Sequence, residues 1–143
     1  MTQEGRLAEV EDIVDRVRRW AADRPDVVGL LLVGSYARSA ARPDSDVDLM
    51  LLSTDLDAYA DGAEELDLGT PVRVRSWGPV TERRFVTASG LEVELNVGPA
   101  GWADTEPVDP GTRRVVTDGA RVLHDPSGLL AALVDACRPP REP

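Results

Sequence analysis

The chain has 143 residues, of which 42% are apolar and 29% charged. That is enough for one soluble globular domain with its own core. Its net charge of −10 repels a phosphate backbone, which argues against general DNA or RNA binding. No apolar run approaches the roughly 18 residues of a membrane span, and the charged stretch Met1 to Arg19 lacks the apolar centre of a signal peptide.

The lone cysteine, Cys137, excludes an intramolecular disulfide and fits a reducing, cytoplasmic setting. Residues 1–138 are expected to form a single domain, with 139–143 as a C-terminal tail.

Leu7, Val10, Val14, Val17 and Ala21 recur at helical spacing, widened by Ile13 and Trp20. This predicts an amphipathic helix that ends before Pro25. Val27 to Val33 is apolar almost throughout and predicts a buried strand. Gly34-Ser35 breaks it. Tyr36 to Ala41 is expected to be a short helix, capped by Ser35 and stopped by Pro43. Val47 to Leu52 is a second apolar strand, with acids at Asp46 and Asp48.

Thr54 to Gly69 is acidic and weakly patterned, with room for a short helix. Pro71 to Trp77 alternates like a strand with one wet face. Thr81 to Thr87 and Leu91 to Val97 are further strands, joined as a hairpin through Ser89-Gly90. Gly98 to Gly111 reads as a surface loop. Arg121 to Leu123 predicts a last short strand, and Ser127 is the expected cap of a closing helix through Leu129, Leu130, Leu133, Val134 and Cys137. The fold class is α/β: a small mixed sheet of roughly five strands with helices mainly on one face. Arg73, Arg75, Arg83 and Arg84 read as surface charges, His124 as a turn residue, and Cys137 as core or interface. Packing is the simplest role for Trp77 and Trp102, stacking on a base the alternative.

The informative stretch runs from Gly34 to Leu49. On a strand, Asp46 and Asp48 project to one face, roughly 7 Å apart along the chain, while Val47 and Leu49 point to the core. Such a pair repels itself unless a cation joins it. Two carboxylates suit Mg²⁺, which takes one or two of them together with phosphate oxygens and water. Gly34 allows phosphate to approach the backbone, where N–H groups are open. Ser35 offers its hydroxyl, and Arg38 and Arg42 lie near enough in sequence to counter a triphosphate. A phosphate cradle beside a metal pair is the apparatus of phosphoryl or nucleotidyl transfer. Leu91 to Val97 alternates strictly, so Glu92, Glu94 and Asn96 share a face and can bring a third carboxylate to the metals or a base to an attacking hydroxyl.

Gly34-Ser35, ten intervening residues and then Asp46-Val47-Asp48 resembles the signature of the DNA polymerase beta-like nucleotidyltransferase superfamily. Within it, the chain is similar to the minimal nucleotidyltransferases (MNT), including the MNT antitoxins of HEPN–MNT toxin–antitoxin pairs, and to the catalytic domain of antibiotic nucleotidyltransferases. The resemblance is centred on residues 27–53. It implies that Gly34 and Ser35 contact the triphosphate, with Arg38 as a helper, and that Asp46 and Asp48 bind two Mg²⁺ ions. It also implies a third strand carboxylate, for which Glu94 is the first choice and Glu92 the reserve. Many relatives carry glycine where this chain has Ser39. The implied activity is transfer of a nucleoside monophosphate, such as AMP from ATP, to an acceptor hydroxyl. The acceptor is a HEPN-type partner protein or a small hydroxylated molecule; a non-catalytic module that neutralises a partner is the other reading. A homodimer is left open.

Overall fold

A computed structural model describes residues 3–60 and 63–139. The expected tail, 139–143, falls beyond them from residue 140 on. The elements are α1 (Gln3–Ala22), β1 (Val27–Val33), β2 (Val47–Ser53), β3 (Thr70–Trp77), β4 (Val80–Val86), β5 (Glu92–Pro99), α2 (Pro110–Asp118), β6 (Ala120–His124) and α3 (Leu129–Cys137). The strands form one mixed sheet in the order β3-β4-β5-β2-β1-β6. Only β2 and β5 run parallel.

The continuous apolar runs of β1 and β2 reflect burial on both faces. On one face, Leu30, Leu32, Leu49 and Leu51 meet the stripe Val10, Ile13, Val14, Val17 and Ala21 of α1. Leu7, expected on that stripe, is exposed. On the other face, Leu31, Val33, Met50 and Leu52 pack with Val116 of α2 and with Leu130, Leu133 and Cys137 of α3. Two of the three helices thus share one face, and α1 covers the other. The β4–β5 hairpin closes at Gly90, whose positive φ of 88° suits glycine. The hydroxyl of Ser89 there bonds to Glu9 of α1.

Four local expectations change. Tyr36 to Ala41 is a run of turns and not a helix. Its amides fold back on the Gly34 and Ser35 carbonyls, and Ser39 at φ 56° breaks any right-handed continuation. Thr54 to Gly69 holds two 3-10 turns, Leu56–Tyr59 and Glu64–Leu66, with residues 61–62 outside the described set. Tyr59 anchors the first by donating to Asp26 at 2.5 Å. Gly98 to Gly111 is partly interior: β5 runs on to Pro99, and the turn Ala100–Ala103 buries Trp102 and Ala103. After it comes α2, which the sequence reading missed. The signal was Asp109-Pro110: Asp109 accepts N–H bonds from Gly111 and Thr112, and proline fits the first helical turn.

The fourth change concerns the cap of α3. Gly128, at φ 80°, is the residue before the helix, and the Asp125 carboxylate accepts from the Leu130 and Ala131 amides at 2.9 Å each. Ser127 takes no part. Asp125→Ala should therefore cost about 1 kcal/mol in urea unfolding, as loss of a helix cap does, while Ser127→Ala stays within a few tenths. Equal effects of the two changes would contradict this assignment.

Candidate active site

The site rests on the parallel β2–β5 register, which sets Asp48 directly opposite Glu94. Directly paired residues share a face, and so do residues two apart on one strand. Asp46, just ahead of β2, joins them. One oxygen of each of Asp46, Asp48 and Glu94 lies within 4.8 Å of the others. Glu94 is the buried member, and Asp46 and Asp48 are half-buried.

Gly34 closes the cluster from the β1 side. Its φ is 80°, and a methyl group there would stand 3.0 Å from Asp48 Oδ2. The glycine turn thus lies against the carboxylates, where a side chain would block them. Gly119, at the start of the approach to β6, accepts the Gly34 N–H at 3.2 Å. A methyl on Gly119 would meet the Gly34 carbonyl at 3.1 Å. It supports the turn from behind, a role that no local sequence pattern announces. Ser35 follows Gly34 directly, and its hydroxyl bonds no protein group among the described residues. Arg38 is turned to the end of α2, where it donates to the Asp118 carbonyl at 3.1 Å.

The larger correction is Arg84. It is not a surface charge: its side chain is 17% exposed and it sits among the acids. One terminal nitrogen donates to Glu94 at 2.8 Å and to Asp46 at 3.1 Å, and the other to Glu92 at 2.7 Å. Its Nε is buried without a partner. Glu92 itself, the reserve third carboxylate, is half exposed at the margin and engaged by Arg84. Arg75 and Arg73 converge on Glu82, two residues before Arg84 on the same face of β4. Arg83 points elsewhere, to the Ala60 carbonyl. Asn96, one step past Glu94, is spent on the Leu49 carbonyl at 3.0 Å. His124 ends β6 opposite Leu30.

The three acids are a group that could hold a metal ion. Burial raises the Asp48 pKa from 3.8 to about 6, helped by Asp46 and Glu82 and opposed by Arg84. An all-oxygen donor set with such a frustrated carboxylate fits Mg²⁺ or Mn²⁺ better than a soft metal.

A glycine turn thus abuts three gathered carboxylates on an open mixed sheet, an arrangement that could hold a metal ion beside an open stretch of backbone. The nucleotidyltransferase domain family matches residues 10–94, from α1 to Glu94, and the chain belongs to it. A nucleotidyltransferase domain supports generic nucleotidyl transfer. No curated protein matches the chain. No helix among the described residues is long and apolar enough to cross a membrane.

Two outcomes follow from the charges. Arg84→Gln leaves Asp46 and Glu94 uncompensated and should cost about 2 kcal/mol without metal. Added Mg²⁺ should then raise the melting temperature more in the variant than in the parent. A parent-like melting curve would contradict this role for Arg84. For Asp48, an acid with a raised folded pKa, the stabilising contribution is complete below pH 3.8 and is lost as pH rises through about 6. Asp48→Asn should therefore raise the melting temperature of the metal-free protein at pH 8 and leave it nearly unchanged at pH 4. Scanning calorimetry at both pH values reads the sign.

Proposed function

We propose that the protein transfers a nucleoside monophosphate, AMP from ATP, to an acceptor hydroxyl and releases pyrophosphate. The observation that carries this reading is the convergence of Asp46, Asp48 and Glu94 beside the Gly34 turn. Two Mg²⁺ ions, when bound by these three acids, supply the charge neutralisation that phosphoryl transfer needs. Gly34, with no side chain, lets the triphosphate approach the turn, and Ser35 seats it through its backbone N–H and hydroxyl. Arg38, engaged at Asp118, flanks the triphosphate and acts by charge. Glu94 stands on the side opposite the glycine turn and takes up the acceptor proton. The acceptor oxygen then bonds to the α-phosphorus, and the bond from that phosphorus to the bridging oxygen breaks, with its electron pair leaving on pyrophosphate. The reaction belongs in the cytoplasm, where ATP and Mg²⁺ are abundant.

The acceptor is a HEPN-type partner protein or a small hydroxylated molecule. A groove on the same sheet face as the acids favours the second. A fold that only neutralises a partner would not need its acids intact, so the substitution that tests catalysis also tests that alternative.

Calorimetric titration of ATP should show binding that depends on Mg²⁺. Asp46→Asn should abolish it and lower AMP transfer at least about a hundredfold, as loss of transition-state charge stabilisation does. ATP binding that ignores both Mg²⁺ and the substitution would overturn the mechanism.

A further inference from the structure

We propose that the acceptor seat is the groove between the β3–β4 hairpin and α2, and that it takes an aromatic alcohol or phenol carrying one acidic substituent. The proposal rests on the nucleotidyl-transfer reading above.

The first argument is direction. Across the sheet, the Gly34 turn follows β1, Asp48 lies on β2, Glu94 on β5, Arg84 on β4 and Arg75 on β3. Nucleotidyl transfer keeps the attacking and leaving oxygens roughly in line through phosphorus. With pyrophosphate leaving over the Gly34 turn, the acceptor hydroxyl enters from beyond Glu94, over β4 and β3. A groove of about 930 Å³ opens on that side, at the β3–β4 turn and the C-terminal end of β5, and reaches back toward the acids through Arg75 and Glu82. Glu82 forms part of its wall, and lies roughly 7 Å along β4 from Arg84 on the same face. Glu82 is also near enough to perturb Asp48. Glu82 thus links the groove wall to the sheet face that carries the acids.

The second argument is chemistry. Trp77, Val80, Pro99, Trp102 and Val115 give the groove mostly apolar walls. Its volume is at the upper end of the roughly 300–1,000 Å³ of small-molecule sites. Trp77 remains 44% exposed, an uncommon cost for a side chain with no occupant to cover it. The charged walls are already spent: Glu82 bonds to Arg75, and Asp109 caps α2. Arg114 alone among the described lining cations has no protein partner, so it is the natural contact for an acid on the ligand. The wall is fixed, since Thr112 of α2 donates to the Trp102 carbonyl at 2.9 Å. Residues 99–115 of this wall lie beyond the segment that the family matches.

In the transfer, the ligand hydroxyl oxygen bonds to the α-phosphorus and its proton passes to Glu94. Pyrophosphate departs with the electron pair of the broken P–O bond. The product is a phosphodiester between AMP and the aromatic ligand.

The test uses 6-hydroxy-2-naphthoate as probe, titrated by fluorescence into the full chain, with Mg-ATP binding measured by calorimetry on the same samples. Val115→Trp, which fills the groove, should weaken the probe at least tenfold. Arg114→Gln should weaken it at least threefold while leaving 2-naphthol, which lacks the acid, unchanged. Mg-ATP affinity should stay within twofold in both variants, which also shows that they fold. Mass spectrometry should find AMP on the probe hydroxyl. Probe affinity unchanged in Val115→Trp, or no probe binding beside normal Mg-ATP binding, overturns the groove as acceptor seat and leaves the transfer reading standing. Loss of Mg-ATP binding in Val115→Trp with the parent's thermal stability places the nucleotide in the groove and overturns the proposal. Absence of Mg-ATP binding in the parent overturns the transfer reading and, with it, the acceptor role.

Discussion

Three carboxylates held within 4.8 Å of one another repel, and the rest of the structure is arranged around that repulsion. Unpaired, such a cluster would drive its members apart or force one to keep its proton. The protein relieves this in two ways. Asp48 is pushed toward neutrality, and Arg84 reaches across from β4 to bridge Asp46 and Glu94. Yet one guanidinium faces Asp46, Asp48, Glu92 and Glu94. The site is therefore left with excess negative charge that only an added cation can complete.

That constraint explains why the sheet is mixed. Asp48 and Glu94 must stand side by side at the same end of adjacent strands, which the parallel β2–β5 pair achieves. The Gly34 turn must lie beside them, which needs β1 antiparallel to β2 so that its end meets the start of its neighbour. The helices then cover what remains. α1 seals one face, while α2 and α3 seal only the β1 side of the other. The face over β5 and β4 stays open, and the acids and the groove share it.

The sequence made much of this legible because the core and the chemistry obey short periods. The runs of β1 and β2 and the alternation of β5 set strands and faces; parity paired Asp46 with Asp48 and grouped Glu92, Glu94 and Asn96, while the choice of Glu94 came from the family resemblance. What stayed hidden depended on contacts between distant segments. Arg84 lies ten residues before Glu94, one of four arginines that look alike on two neighbouring strands, β3 and β4; only the β4–β5 register distinguishes it. Gly119 supports Gly34 from the far end of α2. The turn after Gly34 was misread as a helix because Ser39 is not the residue that usually marks a left-handed backbone. α2 was lost for a different reason: its glycine- and proline-rich approach looked like loop, although Asp109-Pro110 marked its start.

The charge of −10 and an anionic nucleotide are reconciled by where the cations stand. Arg73, Arg75 and Arg84 project from the β3–β4 hairpin onto one face, and each is shared with a carboxylate of that face. These arginines cancel local acids without creating a standing anion site. A bare polyanion meets a nearly neutral or acidic wall and is repelled. On the proposed reading, a nucleotide that brings its own divalent cations would meet the acids in their favoured state. On the proposed reading the same balance would disfavour nucleic acid at large and favour a metal-bound triphosphate, with selectivity arising from the missing positive charge as much as from any contact made.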